Sequence, residues 1–309
     1  MATVRVVSLL PSATEIVFAI GAEDVLCGVS CDCDYPAGVT TKPVVSATTL
    51  PITETSSPGA IDAMVREQLA ESDSIYTLDR SLIRSLQPDV ILAQDLCRVC
   101  AVPSGDVEEA LDVIGCRADV LSLDPNSLTD VLHNIVHVGV AVGREERARE
   151  VVDSLRARLD GVRRATEAAS PRPRVVTIEW HDPLFNGGHW IPEMVAIAGG
   201  DDMLGAPGAR SRTVEWTEVV AADPDVIVFM PCGYDLEGAI AQVPLLLESE
   251  GFRGTRAAHS GDVFVADSSA YFSRSGPRLV DGVEILAGIL HPDLVVPPDA
   301  TRARRVGAR

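Results

Sequence analysis

The chain has 309 residues, nearly half of them hydrophobic, and a formal net charge of −19. This length favours two domains, each with enough apolar residues to bury a substantial core. The negative charge disfavours nucleic acid and anionic membrane surfaces as partners, because both would repel the chain. No apolar run approaches the roughly 18 residues that a membrane helix needs, so we also expect no membrane insertion.

The first lobe begins with a predicted strand over residues 4–10, followed by a helix that ends at Gly21. Ser12 and Glu15 have the spacing of a capping box, which would start this helix. No secretory signal precedes the strand, and the seven cysteines are an odd number that suits a reducing compartment better than a disulfide framework. We therefore expect a cytoplasmic protein, exported only if a signal has been removed.

Two pairs of closely spaced cysteines follow strands of the first lobe. Strands are predicted over 25–30, 89–93 and 119–123, and helices over 58–71, 81–86 and 107–114. Cys31 and Cys33 follow the first of these strands, and Cys97 and Cys100 follow the second. Close thiolate pairs chelate soft ions, and four thiolates would hold Zn²⁺ or an iron–sulfur cluster. The alternative is that small, mildly apolar cysteines line loops beside the core.

A long charged helix follows the first lobe. A helix over 127–142 ends at Gly143, and the next predicted helix, over 144–169, has one apolar stripe and densely charged other faces. We interpret it as a stiff link between lobes, with an ordinary surface helix as the alternative. The predicted domains are an N-terminal α/β lobe (1–143), the linking helix (144–169), a C-terminal α/β lobe (170–296) and a disordered, arginine-rich tail (297–309).

Aromatic and imidazole residues crowd the start of the second lobe. Strands are predicted over 174–179, 226–230 and 263–266, and helices over 192–198 and 279–290. Five such residues come after the first strand: Phe185 and the four candidates for ligand binding, Trp180, His181, His189 and Trp190. We predict that they bind a ligand, because aromatic rings stack on flat molecules and imidazoles coordinate metals. Each histidine taken alone could instead be a solvated loop residue. Tyr271, after the last strand, joins the predicted ligand-binding set.

Two short phrases recur in the same order in both halves. Residues 15–21 reappear loosely as 193–199, and residues 82–91 reappear as 218–227. Each phrase is a helix leading to a turn or a strand, so the repetition predicts two similar α/β lobes. Alternating strands and helices imply parallel sheets, whose ligands gather beyond the carboxyl ends of the strands. We therefore expect a ligand cleft between two facing lobes.

Several motifs together carry a family resemblance: Arg5–Glu15, Gly28–Ser30 with Asp34–Pro36, Leu86–Ile91 and Gly276–Leu279. In this order the chain resembles the class III substrate-binding proteins of ABC importers, and most of all the branch that binds vitamin B12. The resemblance implies two Rossmann-like lobes with parallel sheets, joined by a single long helix, with a ligand held between them. It also implies an ABC permease as partner.

The resemblance indicates a ligand class as well, namely a metal chelate such as a corrinoid, haem or an iron-siderophore. Arg274 matches a ligand-contacting arginine of the vitamin B12-binding branch. Asp32 and Thr48 stand where that branch has aromatic residues that pack on the ligand. The free amides of the helix N-terminus at Ser12 and Thr14 would receive anionic groups, with ordinary capping as the alternative.

The sequence contains no GxSxG, P-loop or HExxH motif, so we expect a binding protein and not an enzyme. The first hypothesis is a non-enzymatic protein that clamps a planar metal chelate. The second is a cytoplasmic metalloprotein on the same fold, structural or enzymatic, with Zn²⁺ or an iron–sulfur cluster at the four cysteines. The third is a duplicated interaction module with an empty cleft.

Overall fold

The computed structural model describes residues 4–53, 56–72, 74–95, 102–114 and 117–306. The strands are β1 (Val6–Ser8), β2 (Leu26–Val29), β3 (Ser46–Thr48), β4 (Tyr76–Leu78), β5 (Val90–Ala93), β6 (Asp119–Ser122), β7 (Arg174–His181), β8 (Leu184–Asn186), β9 (Asp201–Asp202), β10 (Val226–Phe229), β11 (Val263–Ala266) and β12 (Ala303–Arg305). The helices are α1 (Pro11–Ala19), α2 (Pro58–Glu71), α3 (Arg80–Leu86), α4 (Ser104–Ile114), α5 (Leu128–Ala141), α6 (Glu145–Thr166), α7 (Ile191–Ile197), α8 (Trp216–Ala222), α9 (Leu236–Glu248), α10 (Glu250–Arg253), α11 (Arg256–Ser260), α12 (Ser268–Tyr271) and α13 (Leu279–Leu290). Within these ranges, no helix combines the length and apolarity needed to span a membrane.

The chain forms two compact units. Unit 1 comprises residues 1–125 and 129–153, and unit 2 comprises residues 126–128 and 154–309. The division falls inside α6, between Asp153 and Ser154. Helix α6 lies within the range 144–169 predicted for the long helix, and its residues fall in both units.

Unit 1 is built on a parallel sheet. Its strand order is β2–β1–β5–β6, and every neighbouring pair is parallel. All four residues of β5 are buried, as expected for a short, continuously apolar strand covered on both faces. A separate antiparallel pair joins β3 and β4. The unit's core forms where Val7, Ile91 and Leu111 pack together with their neighbours.

Unit 2 contains a mixed sheet in the order β12–β11–β10–β7–β8, with β9 also pairing with β7. The central strands β7, β10 and β11 are parallel, whereas β8 and β12 run antiparallel at the two edges. Phe229, Ile178 and Val265 lie in the core beside this sheet. The prediction of an α/β fold with parallel sheets is confirmed, and the antiparallel edges are an addition to it.

Helix α1 starts differently from the prediction. It begins at Pro11, with Leu10 as the N-cap and no side-chain capping bond. Proline suits this first position because its fixed φ is helical and it has no N–H to satisfy. Ser12 and Glu15 lie inside the helix and are buried. The capping box predicted for them is therefore wrong.

Residues 297–306 include a strand, which differs from the expectation of a disordered tail over 297–309. Strand β12 pairs antiparallel with β11, with Ala303 opposite Ala266. Its arginines reach acceptors on neighbouring loops, since Arg305 Nε donates to the Gly261 carbonyl at 2.7 Å. The edge of β11 would otherwise leave a row of backbone groups unpaired, and β12 satisfies them. Composition alone did not reveal this pairing.

Candidate functional site

The loops that follow the parallel strands of unit 2 bring several of the predicted residues together. We call this group the strand-end site and define it by six residues: Trp180, His181, Tyr234, Asp267, Tyr271 and Arg274. Trp180 and His181 end β7, Tyr234 follows β10, and the other three follow β11. The backbone N–H of Ser269 donates to the Tyr234 carbonyl at 3.0 Å and so joins the last two loops. Ligands of parallel α/β sheets collect at this edge.

Trp180 and Tyr234 form the aromatic part of the strand-end site. Their ring centroids lie 5.9 Å apart with the planes tilted by 46°. Both side chains are partly exposed, and Trp180 Nε1 donates to the Asp182 carbonyl at 2.9 Å. Sequence reasoning missed Tyr234, although its position directly after a predicted strand was the available signal. The pair offers apolar ring surface to a ligand, and the indole N–H of Trp180 already has a hydrogen-bond acceptor.

His181 is a shielded imidazole beside this pair. Its ring meets that of Phe229 edge-on, with the centroids 5.1 Å apart. Both ring nitrogens are shielded from solvent, and neither forms a well-oriented hydrogen bond with the described residues. Burial lowers the pKa of His181, while Asp182 and the nearby Gln242 side chain act in the opposite direction. The imidazole is therefore neutral at pH 7, and it retains an unused lone pair.

The loop after β11 carries the charged part of the site. Asp267 caps α12 by accepting from the Ala270 N–H at 2.8 Å. Burial raises the pKa of Asp267, Asp235 adds to the rise, and Arg278 and Arg274 oppose it. Asp267 and Arg274 thus act on each other electrostatically within one loop.

His189 and Trp190 are arranged differently from Trp180. Trp190 is buried, and its Nε1 donates to the Phe272 carbonyl at 2.8 Å, which ties the start of α7 to the loop after α12. His189 has a positive φ of 52°, a conformation that non-glycine residues adopt uncommonly. Its Nε2 is shielded without a partner among the described residues, and burial lowers its pKa, with Arg210 adding to the effect.

In unit 1, Ser12 and Thr14 lie buried in α1. The Thr14 hydroxyl donates to Ser8 Oγ at 2.9 Å, and Ser8 Oγ donates to the Leu10 carbonyl at 3.0 Å. Thr14 Oγ1 also lies 3.1 Å from Cys33 Sγ. Because each hydroxyl proton is already used, the Cys33 thiol is the donor in that last contact. These contacts tie the turn after β2 to α1.

Cys31 and Asp32 share the turn that follows β2. Cys31 as a whole residue is exposed, and Ser46 Oγ donates to its sulfur at 3.8 Å. Partial burial of the sulfur raises the pKa of the thiol, and the negative charge of Asp32 raises it further. Among the residues that the structure describes, no group of three or more histidine, cysteine or acidic residues is arranged to hold a metal ion. Cys97 and Cys100 lie outside the described residues.

With this geometry in place, the chain can be compared with known proteins. Residues 6–270 match the family described as periplasmic binding protein. An uncharacterized ABC transporter substrate-binding lipoprotein of Bacillus subtilis is 25% identical, over 94% of this chain and 80% of the relative. The vitamin B12-binding protein of Photorhabdus laumondii is 24% identical, over 92% of this chain and 87% of the relative. A periplasmic heme binding protein from Pseudomonas aeruginosa has the same fold, with a TM-score of 0.72 at 22% identity and coverage of 99% of this chain and 98% of that one.

Two α/β units, one of which gathers aromatic and charged side chains at its strand ends, are the architecture of a binding protein. The chain belongs to the periplasmic binding protein family, which its match over residues 6–270 shows. The resemblance drawn from the sequence motifs is thereby confirmed, as is the expectation of a binding protein and not an enzyme, since the matched family is one of periplasmic binding proteins.

The predicted cytoplasmic location is wrong. The matched family is periplasmic, and the Bacillus subtilis relative is a lipoprotein, so the relatives work outside the cytoplasm. The prediction depended on the residues ahead of the first strand and on the odd number of cysteines. The family match is independent of both observations and takes precedence over them. An extracytoplasmic location follows from the family.

Proposed function

We propose that the chain is the substrate-binding protein of an ABC importer and that its cargo is a flat metal chelate, a corrinoid first and haem or an iron-siderophore next. The partner would be the permease of that importer. The chelate would bind at the strand-end site of unit 2 and would dissociate from it without chemical change. Two of the relatives support this ligand class, since one is a vitamin B12-binding protein and another a heme binding protein.

The observation that carries the proposal is the aromatic pair at the strand ends. Trp180 and Tyr234 are partly exposed, and their rings lie 5.9 Å apart. Aromatic residues make up only 4% of the chain, so two such rings at one sheet edge are a local concentration. Flat macrocycles gain affinity mainly by burying apolar ring surface against side chains of this kind.

Polar groups of the same site suit the periphery of such a ligand. Corrinoids carry amide side chains, and haem carries propionates. The Arg274 guanidinium can donate to either of these, and Asp267 can accept from amides. His181, which is neutral at pH 7, is next to the ring pair, 6.2 Å from Trp180 between ring centroids. These groups would orient the chelate after the rings have bound it.

Other parts of the predicted site stay predictions. They are the ligand cleft between lobes and the ligand contacts of Ser12, Thr14, Asp32, His189 and Trp190. The same holds for a Zn²⁺ or iron–sulfur site at Cys31, Cys33, Cys97 and Cys100, which no cluster among the described residues favours. A Cys-ligated metalloprotein is therefore an outcome to test, and not a second proposal.

The test is a separate titration of the full chain with cyanocobalamin, haemin and a ferric siderophore. Binding is monitored by tryptophan fluorescence. All three tryptophans belong to unit 2, so quenching reports on that unit. We expect saturable quenching with micromolar or tighter affinity for at least one of these chelates, and no change in the chelate itself. Elemental analysis of the purified protein tests the alternative, which would give tightly held zinc, or iron with sulfide.

Matched tryptophan variants locate the binding. Trp180→Leu removes a ring of the strand-end site, and we expect about tenfold weaker binding, the order of magnitude of one aromatic contact. Trp216→Leu is the control, because Trp216 packs edge-on against Phe252 at 6.0 Å and lies outside the site. Equal losses in both variants, or the absence of binding to all three chelates, would contradict the proposal.

A further inference from the structure

Residues near the C-terminal end of the described range contact the loop that carries Tyr271 and Arg274. We call residues 297–306 the C-terminal segment. Its strand β12 pairs with β11, and immediately beyond that pairing the Asp267 N–H donates to the Arg302 carbonyl at 3.0 Å. Asp267 is the first residue of the loop and the cap of α12. The C-terminal segment therefore fixes the point at which this loop leaves the sheet.

The side chain of Arg302 makes a second contact with the same loop. Its guanidinium carbon lies 5.4 Å from the ring centroid of Tyr271, within cation–π range. Arg278 lies 5.9 Å from the same ring. Burial raises the pKa of the Tyr271 phenol, and Asp267 and Asp281 add to the rise, whereas Arg302 and then Arg278 oppose it. The phenol thus reports on whether Arg302 is in position.

Arg302 is itself held on both sides within the segment. Its N–H donates to the Asp299 carbonyl at 2.8 Å, and the Thr301 N–H donates to Asp299 Oδ1 at 2.8 Å, so a turn precedes it. After it, Arg304 pairs with Glu237 at 2.5 Å. A turn on one side and a paired strand on the other leave the Arg302 backbone little freedom.

We propose that the C-terminal segment belongs to the framework of the ligand site, and that Arg302 is a positioning residue that holds Tyr271 and the loop 267–274 in the geometry that binds the chelate. This inference rests on the proposed function. The family match ends at residue 270, so the C-terminal segment and Tyr271 lie beyond the matched range.

The experiment compares Arg302→Gln and Arg302→Lys with Arg304→Gln, a control on the neighbouring residue whose side chain reaches Glu237 instead of the loop. Chelate affinity is measured for each variant in the full chain. The Tyr271 phenol is titrated by ultraviolet absorbance in the ligand-free protein. The chain has four tyrosines, so the signal of Tyr271 is identified by subtracting the titration curve of Tyr271→Phe from that of the wild type.

We expect Arg302→Gln to weaken chelate binding about threefold to tenfold, in line with one cation–π contact. The same variant should raise the pKa of the Tyr271 phenol, because the positive charge that lowers it is gone. Arg302→Lys should restore most of both properties, and Arg304→Gln should change neither. Unchanged affinity in Arg302→Gln, or an unchanged phenol titration, would overturn the positioning role.

The proposed function and the positioning role of Arg302 can be refuted independently of each other. If the wild-type protein binds none of the chelates, the proposed function falls. The positioning role is then decided in the ligand-free protein by the phenol titration together with limited proteolysis of the loop 267–274. A raised phenol pKa with faster cleavage in Arg302→Gln supports it, and wild-type behaviour in either measurement overturns it.

Discussion

The Asp225 carboxylate accepts a hydrogen bond from the backbone N–H of Arg174 at 2.9 Å. Unit 1 contains the same contact, in which Asp89 accepts from the Arg5 N–H at 2.8 Å. In both units the aspartate follows a proline and precedes a central strand, and the arginine leads into the first strand of the sheet. The repeated Pro-Asp phrase is therefore a repeated structural device that joins two neighbouring parallel strands.

The arginine side chains complete this device. Arg5 Nε donates to the Leu86 carbonyl at 2.6 Å, and Arg174 Nη2 donates to the Ala222 carbonyl at 2.5 Å. Each carbonyl belongs to the last residue of a helix, α3 or α8, just before a left-handed residue. Cationic groups near a helix C-terminus satisfy its free carbonyls and interact favourably with its dipole.

The Asp225 contact should stabilise unit 2 more than the Asp89 contact stabilises unit 1. Asp225 is half-buried and also accepts from Arg256 at 2.6 Å, whereas Asp89 is exposed. We expect Asp225→Asn to lower the free energy of unfolding of unit 2 by about 1–2 kcal/mol, the cost of a weakened charged hydrogen bond. Asp89→Asn should cost unit 1 about 0.5 kcal/mol, as for an exposed contact.

Urea unfolding checks this difference. Tryptophan fluorescence follows unit 2, which holds all three tryptophans, and far-ultraviolet circular dichroism follows the whole chain. The fluorescence midpoint should move in Asp225→Asn and stay near the wild-type value in Asp89→Asn. A larger fluorescence shift for Asp89→Asn would contradict the assignment of these contacts to separate units.

Local sequence patterns were sufficient for many elements of the fold. The predicted bounds of α2, β11 and α13 agree with the structure, because periodic apolar residues between clear breakers determine each of them. The repeat also predicted matching helix ends, since Gly21 and Gly199 follow α1 and α7 and both have a positive φ. Information of this kind lies within a few neighbouring residues.

Features set by distant contacts could not be predicted in the same way. Sequence spacing suggested capping by Ser12, but packing buries this residue inside α1. Strand β12 forms because β11 lies beside it, and Tyr234 belongs to the candidate site because its loop meets Trp180. The sequence identified Trp180 and His181 as candidates from their positions after a strand, and Arg274 from the family resemblance. It could not reveal that Trp190 is buried against the Phe272 carbonyl.

Gly282 allows α13 to approach the loop of the candidate site. A Cβ at this position would lie 2.3 Å from the Tyr271 carbonyl oxygen and 2.7 Å from Met194 Cε. Gly282→Ala should therefore displace the backbone of the loop, lower the free energy of unfolding of unit 2 by about 1–3 kcal/mol and weaken chelate binding. Fluorescence-detected urea unfolding and the chelate titration measure the two effects.

Gly161 provides the matched control within a helix. A Cβ there, in α6, would meet no heavy atom within 4 Å. Gly161→Ala should leave chelate binding unchanged and stabilise the protein by about 0.5–1 kcal/mol, because alanine loses less backbone entropy in a helix. If Gly282→Ala behaved like Gly161→Ala, the close approach of α13 to the loop would be refuted.

Trp190 should act mainly through structure. Trp190→Phe keeps most of the buried ring but leaves the Phe272 carbonyl without the donor that now lies 2.8 Å away. We expect a loss of about 1–2 kcal/mol in the free energy of unfolding, since a buried acceptor loses its partner. Circular dichroism is the suitable probe, because the substitution removes a fluorophore. Wild-type stability in this variant would show that the hydrogen bond contributes nothing.

His181 should make the stability of unit 2 depend on pH. Burial lowers its pKa below the ordinary histidine value of about 6.5, so the unfolded chain takes up the proton more readily than the folded one. The folded state therefore loses stability as the pH falls below about 6.5. His181→Phe removes this proton uptake, and at pH 7 the variant should be as stable as the wild type or up to about 1 kcal/mol more stable, because it removes shielded ring nitrogens that lack well-oriented hydrogen bonds.

Fluorescence-detected urea unfolding between pH 7 and pH 5 measures this dependence. Glu179 and Asp202 have pKa values raised by burial and act in the opposite sense as the pH falls, but both remain in the variant and cancel in the comparison. The wild type should lose stability relative to His181→Phe as the pH decreases. His259→Phe changes an exposed histidine of the same unit and should follow the wild type. Parallel curves for the wild type and His181→Phe would mean that His181 is not held in its neutral form by burial.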